Sequence, residues 1–467
     1  MGLESRRAMG RAFQSLPREH GFEPLRVEGT IPDALRGTLF KNGPALFESQ
    51  GTPYRHWLDG DGAITAVRFA DGRADGAVRV IATKELEEER RAGKMLYSSG
   101  FTKGPSWHRR LFARSKNATN VHVLLWQGRL YAVSDMGVPY EIDRDTLETL
   151  GPSTLGGALD NVMNAHVRVH PKTGATYGFG PVIGMRSGLD VFELPAHGNA
   201  KRLVRIPMKT PPMLIHDFAL SNDHLIFVKP PIGLRVFGLM MGIGTPMDAI
   251  TLDEEKGCEI IVVPLADPSK VRTIHVPTFF HFHLANAFEA APGTLAVDLC
   301  RYPSFDLGDA FLLDHLRSGE GWLRTPHATL ARVTINVAKG DAELAPLWDV
   351  NCDFPSTAPS KQGLRARYLW ASVTRDHVDR ITKLDHESGD VLEAEFEAHE
   401  LTGEPTFVPR PGAPEEDDGW LLTIAYDANA NTSFAAILDA RDPRVILARA
   451  YFDHHVAFPL HGAFDRA

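Results

Sequence analysis

The stretch GWLLTIAYDANANTSFAAILDARDPR, residues 419–444, holds two apolar runs, each closed by an aspartate and followed by polar turn residues. Short apolar runs bounded by turn signals read as strands, and two of them in succession as a hairpin. The same form returns along the chain: alternating apolar residues, an Asp, a polar turn, then a further strand. Ile142-Asp143, Leu384-Asp385 and Leu438-Asp439 each fit it. Further runs of this kind are GRLYAVSD, LDVFELP, HLIFVKPP, GTLAVDLCRYPS and LARVTINVAKGD. With 32 Pro, 41 Gly and almost no helical period, the chain reads as an all-β repeat, and a propeller fits best. Blades take about 40–50 residues, so seven of them leave roughly a hundred residues for loops that roof one face. Helices are expected only at ELEEERRAGKML (85–96) and DLGDAFLLDHLRSG (306–319). No linker divides the chain, so residues 1–467 are expected to form one domain.

Composition narrows the function. The net charge is −9, from 59 acidic and 50 basic residues, with no basic block; nucleic acid is not an expected partner. Cys258, Cys300 and Cys352 stand alone, without a C-x-x-C pair, which removes a disulfide framework and a thiolate metal site. The first residues lack an apolar signal core, and Arg6 breaks the myristoylation pattern, so the chain reads as cytoplasmic.

The stretch TFFHFHLANAFE (278–289) sets His281 and His283 two apart among phenylalanines. On a regular strand both point to one face, and a buried imidazole needs a partner. Of the 20 histidines, three more have suggestive neighbours: His166 in NAHVRVHPKTG, His216 in MLIHDFALS and His461 in PLHGAF. The spacings are too wide for a local metal motif. In a propeller, however, equivalent strands of different blades converge on the axis, where distant residues meet.

Seven motifs, in order, resemble the carotenoid cleavage oxygenase family over essentially the whole chain. They are FKNGPALFE (40–48) with HWLDGDGAITAVRFADG (56–72), GVPYEIDRDTLETLG (137–151), His166 with Pro171, Thr173 and Gly174, HDFALS from His216, FHLANAFE from Phe282, GEPTFVPRPGAPEEDDGWLLT (403–423), and LHGAF. The resemblance implies a seven-bladed β-propeller, capped by loops and helices, with one non-haem Fe(II) on its axis. His166, His216, His283 and His461 are its implied ligands and catalytic residues. Within the family the ligand stands three residues before the Asn of N-A-x-E, which selects His283 and leaves His281 as a residue of the pocket or of the layer behind the ligands. Neutral imidazoles suit Fe(II), and four of them leave two octahedral positions open. The implied reaction is a dioxygenase cleavage of a polyene C=C bond by O₂ into two carbonyl products, with no other cofactor or reductant.

The chain departs from the family in places. Three carboxylates that orient ligand imidazoles align with Asp135, Asp353 and Glu404, two of them one methylene short of Glu. Shorter arms call for closer strands or a bridging water. Phenol-cleaving relatives carry a Lys where this chain has Ser134, and a Tyr near Phe101, with Tyr97 as the other alignment. Asn120-Val121 replaces the Asn-Thr of many relatives. Phe101, Val121, Ser134 and His281 are therefore the expected pocket, fitted to an apolar carotenoid or apocarotenoid rather than a phenol. The rival readings are a stilbenoid- or phenylpropene-cleaving dioxygenase and a non-catalytic polyene- or lipid-binding propeller.

One apolar segment, PPIGLRVFGLMMGIGTPMDAI (230–250), has only twelve uncharged residues between Arg235 and Asp248, against the ~20 a spanning helix needs. It reads either as a buried helix or as a patch that dips into one leaflet. On the second reading Val236, Phe237, Leu239, Met240, Met241 and Ile243 are the anchors, and the protein is peripherally membrane-associated. No protein partner is implied.

Overall fold

The computed structural model describes residues 7–104, 115–160, 162–184, 186–235, 241, 243–305, 310–319, 327–375 and 378–466. Their strands form seven antiparallel sheets of four to six strands, with two small two-stranded ribbons beside them. The sheets are the blades of a β-propeller. From the axis outward, blade 5 runs Phe280–Ala291, Thr294–Tyr302, Thr329–Asn336 and Asp341–Trp348, and blades 2, 3, 4 and 6 repeat that meander. Blade 1 takes its innermost strand, His461–Arg466, from the end of the chain and pairs it with Gly37–Leu46. Blade 7 takes its outermost strand, Arg26–Gly29, from the beginning and pairs it with Ile446–Tyr451. The ring is thus closed twice, by opposite ends of the chain, and neither seam leaves an open edge.

The hairpin of residues 419–444 shows why the sequence reads as strands. Asp427 and Asp439 end their strands, and each side chain accepts backbone N–H groups two or three residues on, from Asn429 and Ala430 and from Arg441. Asp143 and Asp385 do the same. An aspartate that holds its own turn is a local device, which is why it recurs. The apolar pattern, in contrast, is denser than an alternating strand requires. Phe434, Ala436 and Leu438 pack toward blade 6, while Ala435 and Ile437 pack toward blade 1. Central strands are buried on both faces because each blade is sandwiched between two others. Seven apolar clusters fill the seven interfaces between blades.

Both expected helices form; residues 306–309 of the second expected stretch lie outside the described residues. The first spans Lys84–Ala92, opened by Thr83 accepting the Leu86 N–H and closed by Gly93 at φ 61°. The second spans Leu313–Ser318 and ends at Gly319 with φ 81°. A glycine in the left-handed region stops each one. Leu313 and Leu316 join Phe13, Tyr54, Trp57 and Met95 in one cluster with Leu124 and Tyr131 of blade 2 and Phe192 of blade 3. The loop-and-helix cap is thereby seated on the propeller.

Candidate metal centre

Each blade brings one of the four histidines or three carboxylates to the axis. His166 lies two residues before the innermost strand of blade 3 (Arg168–Val169), and His216 two before that of blade 4 (Phe218–Leu220). His283 lies within that of blade 5, and His461 opens that of blade 1. Blades 2, 6 and 7 bring Asp135, Asp353 and Glu404. Gly462 makes the approach at blade 1 possible: a Cβ there would stand 2.2 Å from the Phe40 carbonyl oxygen.

The four imidazoles turn their Nε2 atoms inward. His166 and His216 meet at 3.0 Å, His216 and His283 at 3.3 Å, and His283 and His461 at 3.1 Å. All four candidate ligand atoms lie within 4.8 Å of one another. Three of the outer Nδ1–H groups donate to carboxylates: His216 to Asp135 at 2.6 Å, His283 to Asp353 at 2.7 Å and His461 to Glu404 at 2.9 Å. The Asp-for-Glu changes therefore leave no gap for water to bridge, because the strands bring the shorter arms into direct contact.

These contacts fix the proton. A carboxylate only accepts, so an imidazole that donates from Nδ1 presents an Nε2 lone pair when neutral. Lone pairs facing one another at about 3 Å repel unless a cation lies between them, and convergent neutral imidazoles are a transition-metal donor set. The residues present fit a bound metal ion. Burial works the same way at two of the four rings, whereas at His216 burial is outweighed by the opposing pull of Asp135, Asp217 and Asp353, which raises it. Burial pushes His461 down to about 3 against the opposing pull of Glu404, and it lowers His166, helped by the other three rings.

The carboxylates have unequal backing. Burial would raise Glu404, but Lys41, at 2.7 Å, and His461 hold it well below the usual range. Lys41 is completely buried. Asp353 accepts the Tyr302 hydroxyl and the Phe354 N–H; these and His283 outweigh burial and lower it. Among the described residues, Asp135, 37% exposed, has only the Ala165 N–H at 3.5 Å besides its histidine.

His281 parts from His283 despite the two-residue spacing. Three steps on the inner strand, His281 to Leu284, face two on its neighbour, Arg301 to Leu299. This bulge resets the alternation, so the same-face expectation fails. His281 lies beside Phe279 and Phe280, and burial pushes it down to about 4. Val121 gives its carbonyl to the His461 N–H at 3.1 Å. Ser134 donates to Asn117 at 3.0 Å. Phe101 stacks on His56 with ring centroids 3.6 Å apart, and the Tyr97 hydroxyl donates to Glu88.

Several residues at the site were not singled out by the sequence reading. His122, on the innermost strand of blade 2, lies within 5.7 Å of His166 and 5.5 Å of His461, ring to ring, with its nitrogens on the Ala165 and Gly462 carbonyls. It lines a cavity of about 170 Å³ with three of the four histidines. Lys41 was legible as a charge inside an apolar strand, and Asp217 as a charge adjoining His216. Tyr302 carried no signal, because its partner lies 51 residues away.

The sequence matches the family described as retinal pigment epithelial membrane protein over residues 13–466. It is 33% identical to an apocarotenoid-15,15'-oxygenase of Synechocystis over 97% of this chain and 95% of that one. A probable chloroplastic carotenoid cleavage dioxygenase of Arabidopsis thaliana is 28% identical over 94% of this chain and 77% of its own length. In three dimensions, a cobalt-substituted Synechocystis apocarotenoid oxygenase superposes with a TM-score of 0.90, at 32% identity and 99% coverage of each chain.

Proposed function

The chain belongs to the retinal pigment epithelial membrane protein family, the carotenoid cleavage oxygenases, and on that premise we propose that it is an Fe(II)-dependent dioxygenase of carotenoid or apocarotenoid polyenes. The observation that carries the reading is the convergence of four Nε2 lone pairs, three of them set by carboxylates, on the axis of this fold. His166, His216, His283 and His461 would hold one iron per chain, and Asp135, Asp353 and Glu404 keep their partners in the tautomer that ligation needs. When bound, Fe(II) supplies the chemistry that adds O₂ across an electron-rich C=C bond; two C=O bonds replace it, and no reductant is consumed.

The residues aligned with the phenol-binding positions of relatives favour a polyene over a phenol on this reading. A buried phenolate needs a cation or a strong donor. Ser134 is neutral and already donates to Asn117, and Phe101 offers only a ring stacked on His56. The test is product analysis after incubating the iron-loaded protein with carotenoids, apocarotenals and stilbenes under O₂. Aldehyde or ketone fragments from the polyenes, with stilbenes little changed, are expected. Preferential stilbene cleavage would overturn the substrate reading, and O₂ uptake with none of the panel would overturn the function.

Such a substrate partitions into bilayers, and we place the protein at the membrane surface as a peripheral enzyme. Of the six proposed anchors, Val236, Phe237, Leu239 and Met240 lie outside the described residues; Met241 and Ile243 are 58% and 65% exposed. Among the described residues no helix is long and apolar enough to cross a membrane. Replacing Met241 and Ile243 by Ser should weaken co-sedimentation with liposomes while turnover of a detergent-dispersed apocarotenal survives; unchanged co-sedimentation removes this assignment.

A further inference from the structure

The strands that carry the histidines belong to separate sheets, and among the described residues no ladder of backbone hydrogen bonds joins blade 3 to blade 4 or blade 4 to blade 5. Apolar packing between blades tolerates sliding, whereas a metal site needs its donors held to within about 0.5 Å. Something at the axis has to fix the spacing.

One ion pair spans all three blades. Arg168 follows His166 by two residues, Asp217 follows His216 by one, and Leu284 follows His283 by one. The Arg168 Nη2 donates both to Asp217 Oδ2 at 2.5 Å and to the Leu284 carbonyl at 2.7 Å, while its Nε donates to the Phe218 carbonyl at 2.8 Å. Asp217 Oδ2 also accepts the Leu284 N–H at 2.8 Å, and its Oδ1 accepts the Phe218 N–H at 2.7 Å. Oδ1 lies 3.5 Å from Nδ1 of His166, the imidazole that donates to none of the three carboxylates already described. The Asp217 side chain has no solvent exposure and that of Arg168 has 17%. Both polar groups of Leu284, both carboxylate oxygens and a forked guanidinium are thus committed to one knot.

We propose that Arg168 and Asp217 are positioning residues for the metal centre, the pair that sets the distances between the imidazoles of His166, His216 and His283. This rests on the reading of the four histidines as metal ligands. A planar fork is needed, because a single ammonium cannot reach Asp217 and two backbone carbonyls with fixed geometry. His461 stands outside this knot and is held by the Lys41–Glu404 pair instead.

The test compares Asp217→Asn with Asp298→Asn. Asp298 forms a comparably close pair with Arg332, bidentate at 2.6 and 2.8 Å, but joins two neighbouring strands inside blade 5. Each purified variant is loaded with Co(II); its ligand-field spectrum and its rate of Co(II) release to a chelator are recorded, and folding is checked by circular dichroism. Asp217→Asn should shift the spectrum and release the metal roughly 10- to 100-fold faster. Asp298→Asn should lower thermal stability and leave both metal readouts as in the wild type. A folded Asp217→Asn protein with wild-type spectrum and release rate overturns the proposal, as do equal changes in both variants. Should Asp217→Asn not fold, Arg168→Lys carries the same expectation and the same refutation. A wild-type protein that takes up no Co(II) refutes the ligand reading itself and is distinguishable from either result.

Discussion

On one side of the metal centre His461 donates to Glu404, whose second oxygen takes the buried Lys41 ammonium and the Gly462 N–H at 3.1 Å. Across it, His216 donates to Asp135, more than a third exposed, on the turn that follows the inner hairpin of blade 2. These are the two rings farthest apart, with centroids separated by 6.3 Å. Their contacts to carboxylate are alike in length, so the first layer does not distinguish them. The second layer does. Lys41 sits on the strand that pairs with the C-terminal strand to close the ring, and Glu404 lies between the two short strands that line blade 7. Closing the fold and orienting His461 are one set of contacts, whereas Asp135 orients His216 with little else depending on it.

The largest expected effect follows from Lys41. Lys41→Met strands Glu404 in the interior without its cation and should cost about 3–5 kcal/mol of stability, measured by chemical denaturation of the metal-free protein. A loss below ~1 kcal/mol, the size of an exposed pair, would break the comparison. Glu404→Gln should weaken metal binding at the upper end of the ~10- to 100-fold range for such partners, and Asp135→Asn at the lower end. Equal losses, read by competition with a chelator, would mean that the second layer does not matter. Between these stands Tyr302→Phe, which deletes one donor to Asp353 and leaves the Phe354 N–H and His283 in place; about 1–2 kcal/mol of stability is expected to go.

A further expected effect is in pH. Burial depresses His281 to about 4 from 6.5, so the folded state disfavours its proton. Its contribution to stability is complete above about 6.5 and is lost as the pH falls from 6.5 toward 4, at up to ~1.4 kcal/mol per unit. Metal binding protects the four inward-facing histidines and leaves His281 to titrate. In metal-loaded protein, His281→Gln should therefore flatten the acid slope in that window, as measured by melting temperature against pH. An unchanged slope assigns it elsewhere.

The propeller was legible because its signals are local: strand-ending aspartates that hold their own turns, and apolar runs of strand length. The four histidines were legible because each lies in a short block matching the family, and the three carboxylates because they align with acids of that family. What escaped the sequence is what depends on distant pairing. The bulge that separates His281 from His283 arises from register with residues 299–301. Lys41 reaches Glu404 across 363 positions, and the knot of Arg168, Asp217 and Leu284 draws on three blades. The closer approach that lets two aspartates replace glutamates is likewise a property of packed strands, which no residue announces alone.

On the proposed reading His166, His216, His283 and His461 hold a single iron and His281 does not. That assignment is tested most directly by the iron content of protein reconstituted anaerobically with Fe(II) and then desalted, measured for the wild type, His283→Ala and His281→Ala. One iron per chain is expected in the wild type and in His281→Ala, and almost none in a folded His283→Ala protein. Iron retained by His283→Ala and lost from His281→Ala would contradict it.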